Sequence, residues 1–254
     1  MPYEVEIRLI DGVMQRVYKN LWSTLRELWL WTCSEHGLMT YIVYEDQRLT
    51  YGDVLEQSVR TAAMLRNLYD VKKGDRIAIC SHNLPQCLII FWACQLIGAV
   101  STFVNMWVLR FALLAWIGSY LPCFRALPLQ PLLHCFSLTG STVIFTDSER
   151  ANRVCNSTQH LREKGVRGIV VLDSLVYDTR WTSFDLWGDV LQSVEVDKQA
   201  FLSQDPGLGP EDDATIIFTS GTYDSALLSS RVALHQNLSG LVFPRECSAL
   251  TDNF

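Results

Sequence analysis

Three short runs constrain this chain most: Ser141 to Thr146, Gly168 to Asp173 and Ala214 to Thr219. Each is apolar at consecutive positions and bounded by polar residues or glycine. A strand with one wet face alternates apolar and polar residues, so a continuous apolar run requires cover on both faces. Ser148 to Glu163 lies between the first two runs and is long enough for a helix. Strands alternating with helices predict a parallel α/β sheet.

The upstream residues fit the same pattern. Asn20 to His36 reads as a helix, with Leu25, Leu28 and Trp29 at helical spacing and Gly37 as the stop. Tyr41 to Glu45 reads as a strand. Thr50 with Asp53 three residues on is a capping box for a helix reaching about Tyr69. Lys72-Lys73-Gly74-Asp75 is a turn into a strand at Arg76 to Cys80. Asn83 and Pro85 mark a helix start. From Cys87 to Gly98 that helix is apolar on nearly every side and must be buried, and Ala99 to Val104 follows as a strand. Gln204 to Asp213 reads as a loop into the last strand.

The 254 residues are 49% hydrophobic and 19% charged, a globular composition. A net charge of -6, without a Lys/Arg run, argues against a nucleic-acid partner. None of the eight cysteines forms a C-x-x-C pair and no His pair has zinc spacing, so buried reduced thiols and a cytoplasmic setting are expected. Glu4, Glu6 and Arg8 make Met1 to Ile10 a poor signal peptide.

The main functional signal is Asp212-Asp213-Ala214-Thr215-Ile216-Ile217-Phe218-Thr219-Ser220-Gly221-Thr222. A buried strand runs into hydroxyls around a glycine. Such a turn can cradle phosphate oxygens with exposed N–H groups and Ser/Thr donors, although most Thr-Ser-Gly-Thr tetrapeptides are simple turns. In context the stretch resembles the phosphate-binding loop of the AMP-binding superfamily. Leu49-Thr50-Tyr51-Gly52-Asp53, Lys73-Gly74-Asp75-Arg76-Ile77-Ala78-Ile79, Asn83-x-Pro85, Phe91-Trp92-Ala93, Gly98-Ala99, Asn105 and Val143-Ile144-Phe145-Thr146-Asp147 resemble that family's upstream segments in order and spacing.

The resemblance implies an α/β fold: a partial N-terminal domain of the adenylate-forming, acyl-CoA synthetase-like fold. That domain would occupy residues 1–242, with an atypical apolar insertion at 108–128, an unassigned tail at 243–254 and no C-terminal domain. It also implies acid–thiol ligation. A carboxylic acid attacks the α-phosphate of ATP, with Mg2+ assisting, and coenzyme A then takes the acyl group as a thioester. Thr219, Ser220, Gly221 and Thr222 would hold the phosphates. His235 and Asn237 resemble the start of the following helix and would be positioning residues.

Two features depart from the family pattern. Tyr223-Asp224-Ser225-Ala226 stands where the family has Thr-Gly-x-Pro-Lys-Gly, so the phosphate-binding lysine is missing. Asp224 opposes a triphosphate: a like-charge contact at ~4 Å costs about 1 kcal/mol in water and several times that beside a low-dielectric wall. The segment 108–128 has no family counterpart. The chain alone is therefore expected to be truncated and inactive. Two rival readings remain open. One is a membrane-associated protein using the apolar stretch 87–124, where Arg110 is the only charge. The other is a non-catalytic remnant that binds ligand or partner.

Overall fold

The computed structural model describes residues 4–10, 12–20, 22–104, 129–173, 179–219 and 229–234. Val5–Ile10 (β1) and Val13–Tyr18 (β2) form an antiparallel hairpin. Leu25–His36 (α1) follows, then a second hairpin of Thr40–Tyr44 (β3) and Gln47–Thr50 (β4), then Tyr51–Tyr69 (α2). Arg76–Cys80 (β5), Pro85–Ile97 (α3) and Val100–Phe103 (β6) come next. The chain continues through Leu129–Thr139 (α4), Ser141–Thr146 (β7), Ser148–Val154 (α5), Thr158–Glu163 (α6) and Gly168–Val171 (β8). Asp185–Leu186 (β9), Trp187–Gln192 (α7), Lys198–Ser203 (α8), Asp213–Thr219 (β10) and Ser229–Leu234 (β11) complete it.

Among the described residues the main sheet has the order β11-β10-β6-β5-β7-β8-β9. The strands from β10 to β9 are parallel, and β11 runs antiparallel at the edge. Both faces are covered, as the continuous apolar runs require. Ile77, Ile79, Val143, Phe145, Val170 and Leu172 pack on one side with residues of α1, α2 and α3. Ala78, Cys80, Ile144, Ile169 and Val171 pack on the other with residues of α4, α5 and α6. At ~25 cal/mol per Å² of apolar surface, these two layers supply the dominant stabilising term. On the first face Trp29 stacks on Trp92, with centroids 4.2 Å apart and planes 5° from parallel.

Local signals explain the boundaries. The capping box forms as expected: Thr50 Oγ1 accepts from the Asp53 amide at 3.1 Å, and the Asp53 carboxylate accepts from the Thr50 amide at 2.8 Å. α3 ends at Gly98, whose φ of +76° is the left-handed conformation a C-terminal cap needs. A β-carbon there would meet Leu208 Cδ2 at 2.6 Å, so the loop before β10 also requires this glycine.

Some expectations need correcting. α1 starts at Leu25, not Asn20, because Thr24 caps it by accepting from the Glu27 amide. The helix expected over 148–163 breaks into α5 and α6 around a 3-10 turn, Cys155–Ser157. Asn156 and Ser157 sit there, residue types whose short polar side chains compete with helical bonding. The first hairpin and β11 were not anticipated. The apolar stretch at 87–124 does not begin as one span: residues 87–104 lie in α3 and β6, separated by Gly98. Among the described residues no helix is long and apolar enough to cross a membrane. Residues 105–124, and the insertion at 108–128, lie outside the described residues.

Candidate functional site at the carboxyl rim of the sheet

The strand order creates one privileged place. The connection leaving β5 passes through α3 on one face to β6, whereas the connection leaving β7 passes through α5 and α6 on the other face to β8. β5 and β7 are neighbours, so the crossover direction switches at their carboxyl ends. Open α/β sheets bind ligands at such switch points.

Charged side chains meet there. Asp147, fully buried, follows β7 and caps α5. Its Oδ1 accepts from the Arg150 amide at 3.0 Å. Its Oδ2 accepts from the Arg150 guanidinium, from the His82 amide at 3.0 Å and pairs with His82 Nδ1 at 2.8 Å. Arg150 is also buried, so the pair is held in low dielectric with its lone pairs and protons largely satisfied, the condition under which such a pair is tolerated. His82 follows β5 and keeps 47% of its side chain exposed. The carboxylate is an acceptor only, so Nδ1 carries the proton and Nε2 is left as an acceptor. Among the described residues Nε2 has no hydrogen-bond partner. Nearby thiols are poorly suited to act as nucleophiles: burial pushes Cys80 and Cys87 upward.

The strand carrying the phosphate-loop signal reaches the same rim. β10 pairs with β6 through Thr215↔Ser101, Ile216↔Thr102 and Ile217↔Phe103. Thr219 thus lies two residues beyond the last β6 pair. Buried polar groups fix this register. Thr215 Oγ1 donates to the Ser101 carbonyl at 2.8 Å. The Ala214 carbonyl, at a ladder irregularity between Asp213 and Thr215, accepts from Ser101 Oγ at 3.2 Å and Gln95 Nε2 at 3.3 Å.

Of the expected site residues, Thr219 ends β10 at this rim. Ser220, Gly221 and Thr222 lie outside the described residues, as do His235 and Asn237, which follow β11. His82, Asp147 and Arg150 were not singled out from sequence. The one available signal was position: His82 lies just beyond one apolar strand and Asp147 just beyond another. Nothing local joins residues 65 apart. Among the described residues no three His, Cys, Asp or Glu side chains converge as a metal site.

Residues 30–223 match the family model described as AMP-binding enzyme. The chain belongs to that family. An AMP-binding enzyme that it resembles, the acetyl-coenzyme A synthetase of Emericella nidulans, is 28% identical over 188 residues, 70% of this chain and 24% of that protein. Long-chain fatty acid transport protein 6 of Homo sapiens is 32% identical over 101 residues, 40% of this chain and 15% of that protein. The chain thus spans about a quarter or less of these curated relatives. Among solved structures, a red-emitting luciferase from Phrixothrix hirtus superposes with a TM-score of 0.63 at 17% identity, over 87% of this chain and 48% of that one. A benzoate CoA ligase from Burkholderia xenovorans LB400 gives 0.62 at 15%, over 85% and 35%. These likenesses show the fold: a mixed α/β domain of the AMP-binding enzymes with a parallel sheet.

Proposed function

We propose that this chain carries the nucleotide-facing part of an ATP-dependent acid–thiol ligase, which joins a carboxylic acid to coenzyme A through an acyl-adenylate. The observation that carries this reading is β10. The strand that leads into Thr219-Ser220-Gly221-Thr222 lies in register beside β6, with its carboxyl end on the same rim as the switch point between β5 and β7. A glycine-and-hydroxyl turn there would offer amide and hydroxyl donors to the β- and γ-phosphates. The names of the relatives, acetyl-coenzyme A synthetase and 2-succinylbenzoate–CoA ligase, support the same substrate class.

Adenylate formation by this chain is weakened, because Asp224 follows the turn where a lysine would complement the triphosphate. The acyl-adenylate carries less charge than ATP and suffers less from Asp224. Calorimetric titration with ATP and with a non-hydrolysable acyl-adenylate analogue tests the reading. The expected outcome is binding of the analogue, with ATP much weaker. Binding of neither overturns the assignment, and leaves a chain that keeps the fold without the ligand.

A further inference from the structure

The ligase reading contains one step that needs a base. A carboxylic acid is ionised at neutral pH, and phosphates attack nothing. The thiol alone must lose a proton, since its ordinary pKa of about 8.5 leaves it mostly protonated at pH 7. The rim holds one side chain set up to accept that proton. Asp147 fixes His82 through Nδ1 at 2.8 Å and through its amide at 3.0 Å, so the ring cannot turn without breaking the dyad. Arg150 holds Asp147 in turn. Nε2 has no hydrogen-bond partner among the described residues, and the ring, 47% exposed, stands at the switch point. β5 lies two strands from β10, about 10 Å at ordinary strand spacing, so a ligand anchored at the end of β10 can extend to His82.

We propose that His82 is the proton acceptor of the thioester-forming step, an inference that rests on the ligase reading. His82 Nε2 takes the proton of the thiol. The sulfur attacks the acyl carbon of the adenylate, a C–S bond forms, and the C–O bond to AMP breaks with its electron pair leaving on the phosphate. Asp147 stabilises the imidazolium, as a buried carboxylate does when it orients a histidine base. The exposed ring then returns its proton to solvent.

The test supplies the full chain with preformed acetyl-adenylate and coenzyme A, which bypasses the weakened ATP step. Thioester formation is followed in wild type, His82→Gln and His82→Ala. His82 is half exposed and Asp147 keeps Arg150 in both variants, so both are expected to fold, which circular dichroism checks. The expected result is a loss of at least about 100-fold in His82→Gln at pH 7, with partial rescue of His82→Ala by added imidazole. The gap between wild type and His82→Gln should be widest near pH 7 and narrow as pH approaches the ordinary thiol pKa of about 8.5, where the thiol ionises unaided. The titratable and charged groups around His82 are Asp147, which caps α5, Glu149 and Arg150 on α5, Cys80 in β5 and Cys87 on α3. Loss of none of these would be restored by imidazole. Variants as fast as wild type overturn the proposal, as does a wild-type chain that binds the adenylate analogue in calorimetry but does not accelerate thiolysis over buffer. In both cases the ligase reading stands. Absence of analogue binding overturns the ligase reading itself, and the role of His82 with it.

Discussion

The two ends of the parallel sheet carry charged clusters of opposite character. At the carboxyl rim, Asp147 and Arg150 are buried and joined to His82. At the amino end, Lys73 pairs with Asp212 at 2.7 Å and donates to the Gly207 carbonyl at 2.6 Å, but both side chains keep a third or more of their surface in water. Geometry at the two ends is similar, while the solvent differs. A charge kept from water must keep its partner, whereas one that water reaches can lose it cheaply. The rim is therefore the end that the fold holds rigid, and the amino end is a strap that ties the 204–212 loop beneath β10.

The largest expected effect lies at the rim. Asp147→Ala removes the buried carboxylate that pairs with the buried Arg150 guanidinium and should destabilise by about 3–5 kcal/mol in denaturant unfolding. A loss under 1 kcal/mol would mean that the rim behaves like the strap. Next comes Gly98→Ala, at the amino end. Its left-handed conformation costs a side chain about 1–2 kcal/mol, and Leu208 must also move. A lowered melting temperature, with the strap loop more open to proteolysis, would show that loop and cap are coupled.

The capping box of α2 calibrates both ends. Thr50→Ala should cost about 1 kcal/mol. Hydrogen bonds from the Thr50 amide and hydroxyl hold the Asp53 carboxyl below its usual range. The contribution of that carboxyl is therefore complete above pH ~4 and fades as pH falls through the lowered value. Acid titration of wild type against Asp53→Asn checks the sign. The smallest effect is Lys73→Ala, between 0 and about 1 kcal/mol, and smaller still in 1 M salt. A salt-insensitive loss of several kcal/mol would erase the contrast between the two ends.

Much of the fold was legible because its strands are covered twice. Ser141–Thr146, buried at every position, has one physical explanation and its boundaries were readable; those of Asp213–Thr219 were readable within a residue, although Ile217 stays exposed. The Thr50–Asp53 box acts over three residues and was equally plain. Readings failed where structure depends on distant pairing. β1 and β2 stabilise each other while leaving Ile7, Leu9 and Met14 exposed, so no buried periodicity announced them. Of the residues singled out from sequence, Thr219 lies on the rim, at the end of a contiguous apolar run, whereas His82 and Asp147 become neighbours only when β5 and β7 pair.

The clip formed by Ser101, Thr215 and Gln95 has a consequence for how this chain can vary. Upstream of Ala214 the backbone is a surface loop, able to absorb an inserted or deleted residue by bulging outward. Downstream of Thr215 it has no such slack, because each added residue would shift Ile216 and Ile217 out of their pairing with Thr102 and Phe103 and turn their side chains to the opposite face. Length changes should therefore be tolerated on one side of this clip and ruinous on the other.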